Sequence, residues 1–152
     1  MVSRNDPELA KEWSFADLIS QLSSTLQTGS SVGQCRWVEN RVLGVLATPE
    51  LRNASRLAVG VSGLPAGVRT IEHDHEAEEL AIVLAGQGEI VIDGQSHEVR
   101  PGSIVLAPSF SRHTTQAHAG NPLLVLWIYA PPGSERKWLG KAATRAESKE
   151  GE

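Results

Sequence analysis

Three side chains able to bind a metal lie close together in Gly67-Val-Arg-Thr-Ile-Glu-His73-Asp-His75-Glu-Ala-Glu-Glu79. Along an extended chain, residues two apart face the same side, so His73 and His75 project together and Glu79 shares their parity across a short turn. Two imidazoles and a carboxylate on one face make a workable triad for a first-row divalent ion. A further histidine ends the stretch Gly102-Ser-Ile-Val-Leu-Ala-Pro108-Ser-Phe110-Ser-Arg-His113. A strand returning through this Pro-containing turn could bring His113 beside the first three, leaving one or two coordination positions for water or substrate. The competing reading is a solvated, charged turn, since an H-x-H pair alone is often solvated and Asp74, Glu76 and Glu78 are acids of the opposite parity.

The elements that must hold such a cluster read as strands. From about Val32, short runs rich in Val, Ile and Leu alternate with Gly, Pro, Asn and Asp, the pattern of half-buried strands and turns. Strands are expected at Cys35–Val38, Arg41–Ala47, Ser55–Leu64, Thr70–His73, Glu78–Ala85, Gly88–Ile92, Gln95–Val99, Ser103–Leu106, His113–Ala117 and Leu123–Tyr129. The Asp93-Gly94 pair marks a two-residue hairpin, because Gly readily takes positive φ and Asp tolerates it. Short strands at regular spacing predict an all-β antiparallel sandwich or barrel over residues 32–132. Residues 1–31 read as an N-terminal helical extension. Ser14 could cap a helix with Phe15, Leu18, Ile19, Leu22 and Leu26 at helical spacing, ended by Gly29. Residues 133–152 read as a polar C-terminal tail after Pro131-Pro132-Gly133, mobile from about Lys141 to Glu152.

Taken together, these residues resemble the two motifs of the cupin superfamily. Gly67, His73, His75, Glu79 and Gly86 fit G-x5-H-x-H-x3-E-x6-G, and Gly102, Pro108 and His113 fit G-x5-P-x-G-x2-H-x3-N. Two places depart: Phe110 stands for a glycine and Ala117 for the final asparagine. Neither is a ligand position, so the departures concern turn geometry. The resemblance implies a jelly-roll cupin barrel with one divalent transition metal (Fe, Mn, Ni, Co, Zn or Cu) on His73, His75, Glu79 and His113. Members that are similar include iron dioxygenases, decarboxylases, isomerases, dehydratases, cyclases and lyases, as well as non-catalytic binding or sensing modules, and single barrels commonly form homodimers. Small cupin lyases that cleave dimethylsulfoniopropionate carry a tyrosine base two places after the glutamate. Here that place is Ala81, so a lyase of that kind would need Tyr129 instead.

Parity also suggests a lining. Ala81 and Val83 share the parity of Glu79 and should form a small apolar floor. Trp127 and Tyr129 share one face of the last strand and suit a pocket wall, although core packing or a dimer contact explains them equally well, and Trp37 is open to the same readings. Arg69 shares the parity of His73 and could hold a substrate carboxylate bidentately; a surface ion pair is the alternative. Tyr129 and Arg69 are thus the candidate catalytic residues. Ser111 and Thr115 could donate hydrogen bonds near the ion, while His97 and His118 are expected to stay outside the site.

Composition bounds the rest. The chain has 152 residues, enough for one domain with a real core, and a formal net charge of -4. That charge, with no cluster of Lys and Arg, argues against a nucleic-acid partner. The single cysteine, Cys35, cannot form an intrachain disulfide; a small buried side chain is the simpler reading and a reactive thiol the other. The first residues lack a secretory apolar core, and the longest apolar run, Leu123 to Ala130, is too short to cross a bilayer. The expectation is a cytoplasmic protein without a membrane partner, acting on or binding a small molecule.

Overall fold

The computed structural model describes residues 36–52 and 54–139. The expected N-terminal helix, Cys35 and most of the expected tail lie outside these residues.

Among the described residues nine strands form: β1 (Arg36–Val38), β2 (Arg41–Ala47), β3 (Ala58–Leu64), β4 (Glu78–Ala85), β5 (Gly88–Ile92), β6 (Gln95–Val99), β7 (Ile104–Ala107), β8 (His113–Ala117) and β9 (Leu123–Ala130). They build a six-stranded sheet in the order β1-β2-β3-β9-β4-β7 and a three-stranded sheet in the order β6-β5-β8, with every pairing antiparallel. This is the expected all-β cupin-type barrel. Period-two patterning explains why each strand sits as it does. On β4, Ala81, Val83 and Ala85 are buried inward, whereas Leu80, Ile82 and Leu84 form the outer face. On β9, Val125, Trp127 and Tyr129 are buried and alternate with the partly exposed Leu126 and Ile128. Asp93 and Gly94 both take positive φ, at 47° and 81°, and join Ile92 to Gln95 as the two-residue hairpin requires.

Two apolar clusters divide the interior. Leu64, Ala81, Val83, Ile90, Val99, Ala117, Leu123 and Val125 close one part of the barrel. Leu43, Val45, Ala58, Ala77, Trp127, Tyr129 and Trp138 form the other. Full burial of a leucine such as Leu64 or Leu123 contributes roughly 1.5–3 kcal/mol. Gly60 is needed for the second cluster, because a Cβ there would lie 2.0 Å from the Trp127 ring. A glycine on β3 is what lets the indole lie flat across its neighbour strand.

Two expectations change. The strand predicted over Thr70–His73 reduces to two isolated bridges, Arg69 with Gln116 and His73 with His113. Ser134–Trp138, in the expected polar tail, forms a 3-10 turn whose Glu135 and Trp138 are buried. Thr48 Oγ1 donates to Glu135 Oε1 at 2.6 Å and the Gly133 amide to Oε2 at 2.6 Å, docking the turn beside the end of β2. Among the described residues no helix is long and apolar enough to cross a membrane.

Candidate metal centre

His73, His75, Glu79 and His113 come together with one ligand atom each inside a 4.8 Å span. Local strand register and main-chain ties place them. Glu79 is the second residue of β4, directly opposite Tyr129 of β9. His113 opens β8. His73 is pinned beside it by a reciprocal main-chain bridge, His73 N–H to His113 O at 3.1 Å and His113 N–H to His73 O at 2.9 Å. The chain carrying His73 is also clamped by threonines: Thr114 Oγ1 donates to Thr70 O at 2.7 Å, and the two hydroxyls lie 3.1 Å apart. Phe110 N–H donates to His75 O at 2.8 Å, tying the turn before β8 to the first segment.

The imidazoles are oriented through their outer nitrogens. His73 Nδ1 lies 2.8 Å from Ile71 O, His75 Nδ1 2.9 Å from Ala77 O, and His113 Nδ1 2.9 Å from Ser111 O. A carbonyl can only accept, so each Nδ1 carries a proton, and each Nε2 offers a lone pair whenever its ring is neutral. This is the outer support that metal-binding histidines typically have. Glu79 Oε2 lies 3.0 Å from His75 Nε2 and 2.9 Å from His113 Nε2. Three lone pairs and a carboxylate facing one another repel unless a positive species lies between them. In the absence of a metal, a proton on Nε2 plays that part. The donor set, nitrogen and oxygen with side chains 5–15 % exposed at His75, Glu79 and His113, could hold a first-row divalent ion.

The titration directions agree. Burial pushes the Glu79 carboxyl up, but hydrogen bonds from His113 and His75 and their charge outweigh it and hold the group down at about 2. Burial pulls His113 down, yet Glu79 and the Ser111 carbonyl overcome that and raise it. Burial lowers His73, with only partial compensation from the Ile71 carbonyl. The Tyr129 phenol is raised far above its ordinary value, first by burial and then by the charge of Glu79. It stays protonated, so its hydroxyl can donate a hydrogen bond.

The cluster opens into a narrow cleft with about 30 Å³ of room for water-sized guests, and about 420 Å³ of unfilled space when the open solvent at its mouth is included. Trp127, Tyr129 and Trp138 form one wall, with Trp127 and Tyr129 stacked at 4.5 Å and Tyr129 packed 4.6 Å from the His75 ring. Leu43, Leu64 and Val125 supply the apolar floor. Ala81 and Val83, expected in that floor, are packed in the core cluster instead. Thr115 lines the cleft; Ser111 contributes its carbonyl to His113, while its hydroxyl donates to Pro108 O. Asp74, Glu76 and Glu78 are exposed, as is Trp37. His97 is exposed, and His118 pairs with Glu98 at 3.1 Å on the surface.

Arg69 requires a correction. Three residues lie between Arg69 and His73, but two between their partners Gln116 and His113, so one extra residue intervenes and the face flips. Arg69 is therefore exposed and Thr70 takes the inward place in the cleft wall. The basic residue in that wall is Arg41 at the start of β2, which sequence reading passed over. Its parity with the inward Leu43 and Val45 was a usable signal.

Comparison with known proteins agrees with this geometry. The model of the cupin domain family matches residues 60–129. A 5-nitrosalicylic acid 1,2-dioxygenase of Bradyrhizobium sp is 25% identical over 84% of this chain and 62% of its own length. Dimethylsulfoniopropionate lyase DddQ of Ruegeria pomeroyi is 38% identical over 47% of this chain and 36% of its own length. The chain thus spans less than two thirds of either relative. The structure of KdgF from Halomonas sp. superposes with a TM-score of 0.59 at 20% identity, covering 67% of this chain and 89% of that one, and shares the fold. The barrel, its paired motifs and these likenesses coincide on one stretch of sequence: residues 60–129 match the cupin domain family.

Proposed function

We propose that this protein is a metal-dependent cupin enzyme acting on a small organic molecule, with His73, His75, Glu79 and His113 holding one divalent transition metal. The observation that carries the reading is the three-fold anchoring of the imidazoles through Nδ1, which turns Nε2 of His75 and His113 onto Glu79 and keeps His73 within the same 4.8 Å cluster. A divalent ion held by these four residues would supply Lewis acidity and bring a substrate and dioxygen together.

Dioxygenase chemistry fits the lining better than a proton-abstracting lyase, isomerase or cyclase reaction. Among the described residues of the cleft wall, Glu79 is the one carboxylate, and it is committed to the histidines. Tyr129, raised by burial and by Glu79, stays protonated and is no base, leaving its hydroxyl to hydrogen-bond a substrate oxygen. The relative spanning 84% of this chain is a dioxygenase, which supports the same reading. Oxygen uptake by the iron-loaded protein with a panel of small aromatic and aliphatic acids tests it. Uptake that needs both iron and one acid is expected. Turnover of an acid without uptake would favour the redox-neutral reactions, and ligand binding without turnover would favour a sensing module.

A homodimer also fits. The outer rows Leu106–Leu80–Ile128 and Ile104–Ile82–Leu126 form an apolar sheet face ending at edge strand β7, with Ile104 64% and Leu106 52% exposed. A two-fold contact needs only one such self-complementary patch.

A further inference from the structure

The cleft holds a second charged group besides the metal ligands. Arg41 lines the cavity that contains His73, Glu79 and His113, yet its side chain is 5% exposed. A guanidinium so far out of water needs compensation. Glu39 supplies part of it, accepting from Arg41 Nη1 at 2.8 Å, and the guanidinium carbon stands 4.9 Å from the Trp138 ring centre. One acceptor satisfies one of five N–H donors. Among the described residues Glu39 is the single ion-pair partner of Arg41, and it is itself 37% exposed at the hairpin turn.

We infer that Arg41 is the carboxylate-binding residue of the cleft, and that the protein takes a small, flat, apolar monocarboxylate whose body lies along Trp127, Tyr129 and Trp138. This rests on the cleft being the substrate site proposed above and adds its substrate class.

Three features carry it. First, shape: the wall is aromatic and the floor is Leu43, Leu64 and Val125, so the body of the ligand is apolar. Second, geometry: a planar fork of donors is the group best matched to a carboxylate. Third, charge: Glu79 offsets one of the two charges of a divalent ion, and Glu39 offsets Arg41. A metal-loaded cleft therefore keeps one excess positive charge that a monocarboxylate neutralises. Thr48 and Gly133 add to the arrangement from outside, because their hydrogen bonds to Glu135 hold the turn that brings Trp138 under Arg41.

Calorimetric titration with benzoate, acetate and the uncharged benzamide tests the inference on the cobalt-loaded and metal-free protein, with metal content measured on each sample. The expected result is binding of benzoate well ahead of benzamide, weakened roughly ten- to a hundredfold in Arg41→Gln, the range for a lost charge-assisted pair. Glu39→Gln frees the guanidinium of its competitor and should tighten benzoate binding about threefold or more. That variant decides the matter even if Arg41→Gln does not fold. Equal affinity for benzoate and benzamide, no gain in Glu39→Gln, or failure of both anions to bind overturns the assignment. A protein that takes up no cobalt but binds benzoate through Arg41 sinks the metal reading and leaves the anion site standing.

Discussion

His73 and His113 lie side by side as a reciprocal main-chain pair, each amide donating to the other's carbonyl. One ligand from an irregular segment thereby inherits the position of a ligand on β8. The Thr70–Thr114 clamp sits next to this bridge and touches no ligand atom. Thr114→Val leaves Thr70 O and its hydroxyl without those partners in a buried place, costing about 1–3 kcal/mol of stability. It should also weaken metal binding by loosening His73, about tenfold by analogy with lost outer-shell support. Denaturant unfolding and cobalt titration check both; a stability loss with unchanged cobalt affinity would show that the clamp does not position the site.

Metal uptake should depend on pH through His113. In the metal-free protein its pKa lies above the ordinary 6.5 because Glu79 overcomes the effect of burial. Its stabilising pairing is therefore full below 6.5 and fades as pH rises through the raised value. Glu79, depressed from 4.5 to about 2, stabilises above 4.5 and loses this as pH falls toward 2. A divalent ion must displace the His113 proton, so its apparent affinity should rise roughly tenfold per pH unit per proton released, up to that pKa. The cobalt-induced increase in Tm should grow as pH rises from below 6.5 through the raised His113 value. An increase that is flat across this range would contradict the competition between proton and metal.

Phe110 occupies a left-handed backbone position, φ 60°, where the family motif has glycine, and its side chain is 66% exposed. The turn keeps its shape, with the Phe110 amide still donating to His75 O, at the cost of roughly 1 kcal/mol of backbone strain. Phe110→Asn should raise stability by about 0.5–1 kcal/mol, a few degrees in Tm, because asparagine tolerates this region. Phe110→Val should lower it by a similar amount. Thermal unfolding of the pair decides, and equal Tm values for both variants would mean that the turn is not strained.

The contribution of these residues to what could be read beforehand is uneven. His73, His75 and Glu79 lie close in sequence and alternate as an extended chain must, so their common face was legible from spacing. The strands were legible from Val, Ile and Leu runs, and β5–β6 from Asp93-Gly94. Arg69 and Thr70 exchanged faces because one unpaired residue entered the ladder, and no residue type announces that. Trp138 lies beyond Pro131-Pro132-Gly133, where apolar periodicity has stopped; its burial depends on Glu135 meeting Thr48, a contact between distant positions.

Leu106 and Ile104 test the assembly. Charge placed on an apolar self-contact costs several kcal/mol when copied twice across a two-fold axis. Leu106→Glu with Ile104→Glu should convert a dimer to a monomer in light scattering while leaving the fold unchanged by circular dichroism. A wild-type protein that is already monomeric would remove the dimer from the account.

The most direct test is elemental analysis of the purified protein beside His75→Ala, whose imidazole is removed while Ala77 O is left at the surface of the site. About one divalent transition metal per chain in the wild type, falling to a small fraction in the variant, is the predicted result. Equal metal content in the two proteins, or none in either after reconstitution with iron, manganese, nickel, cobalt, zinc or copper, would contradict it.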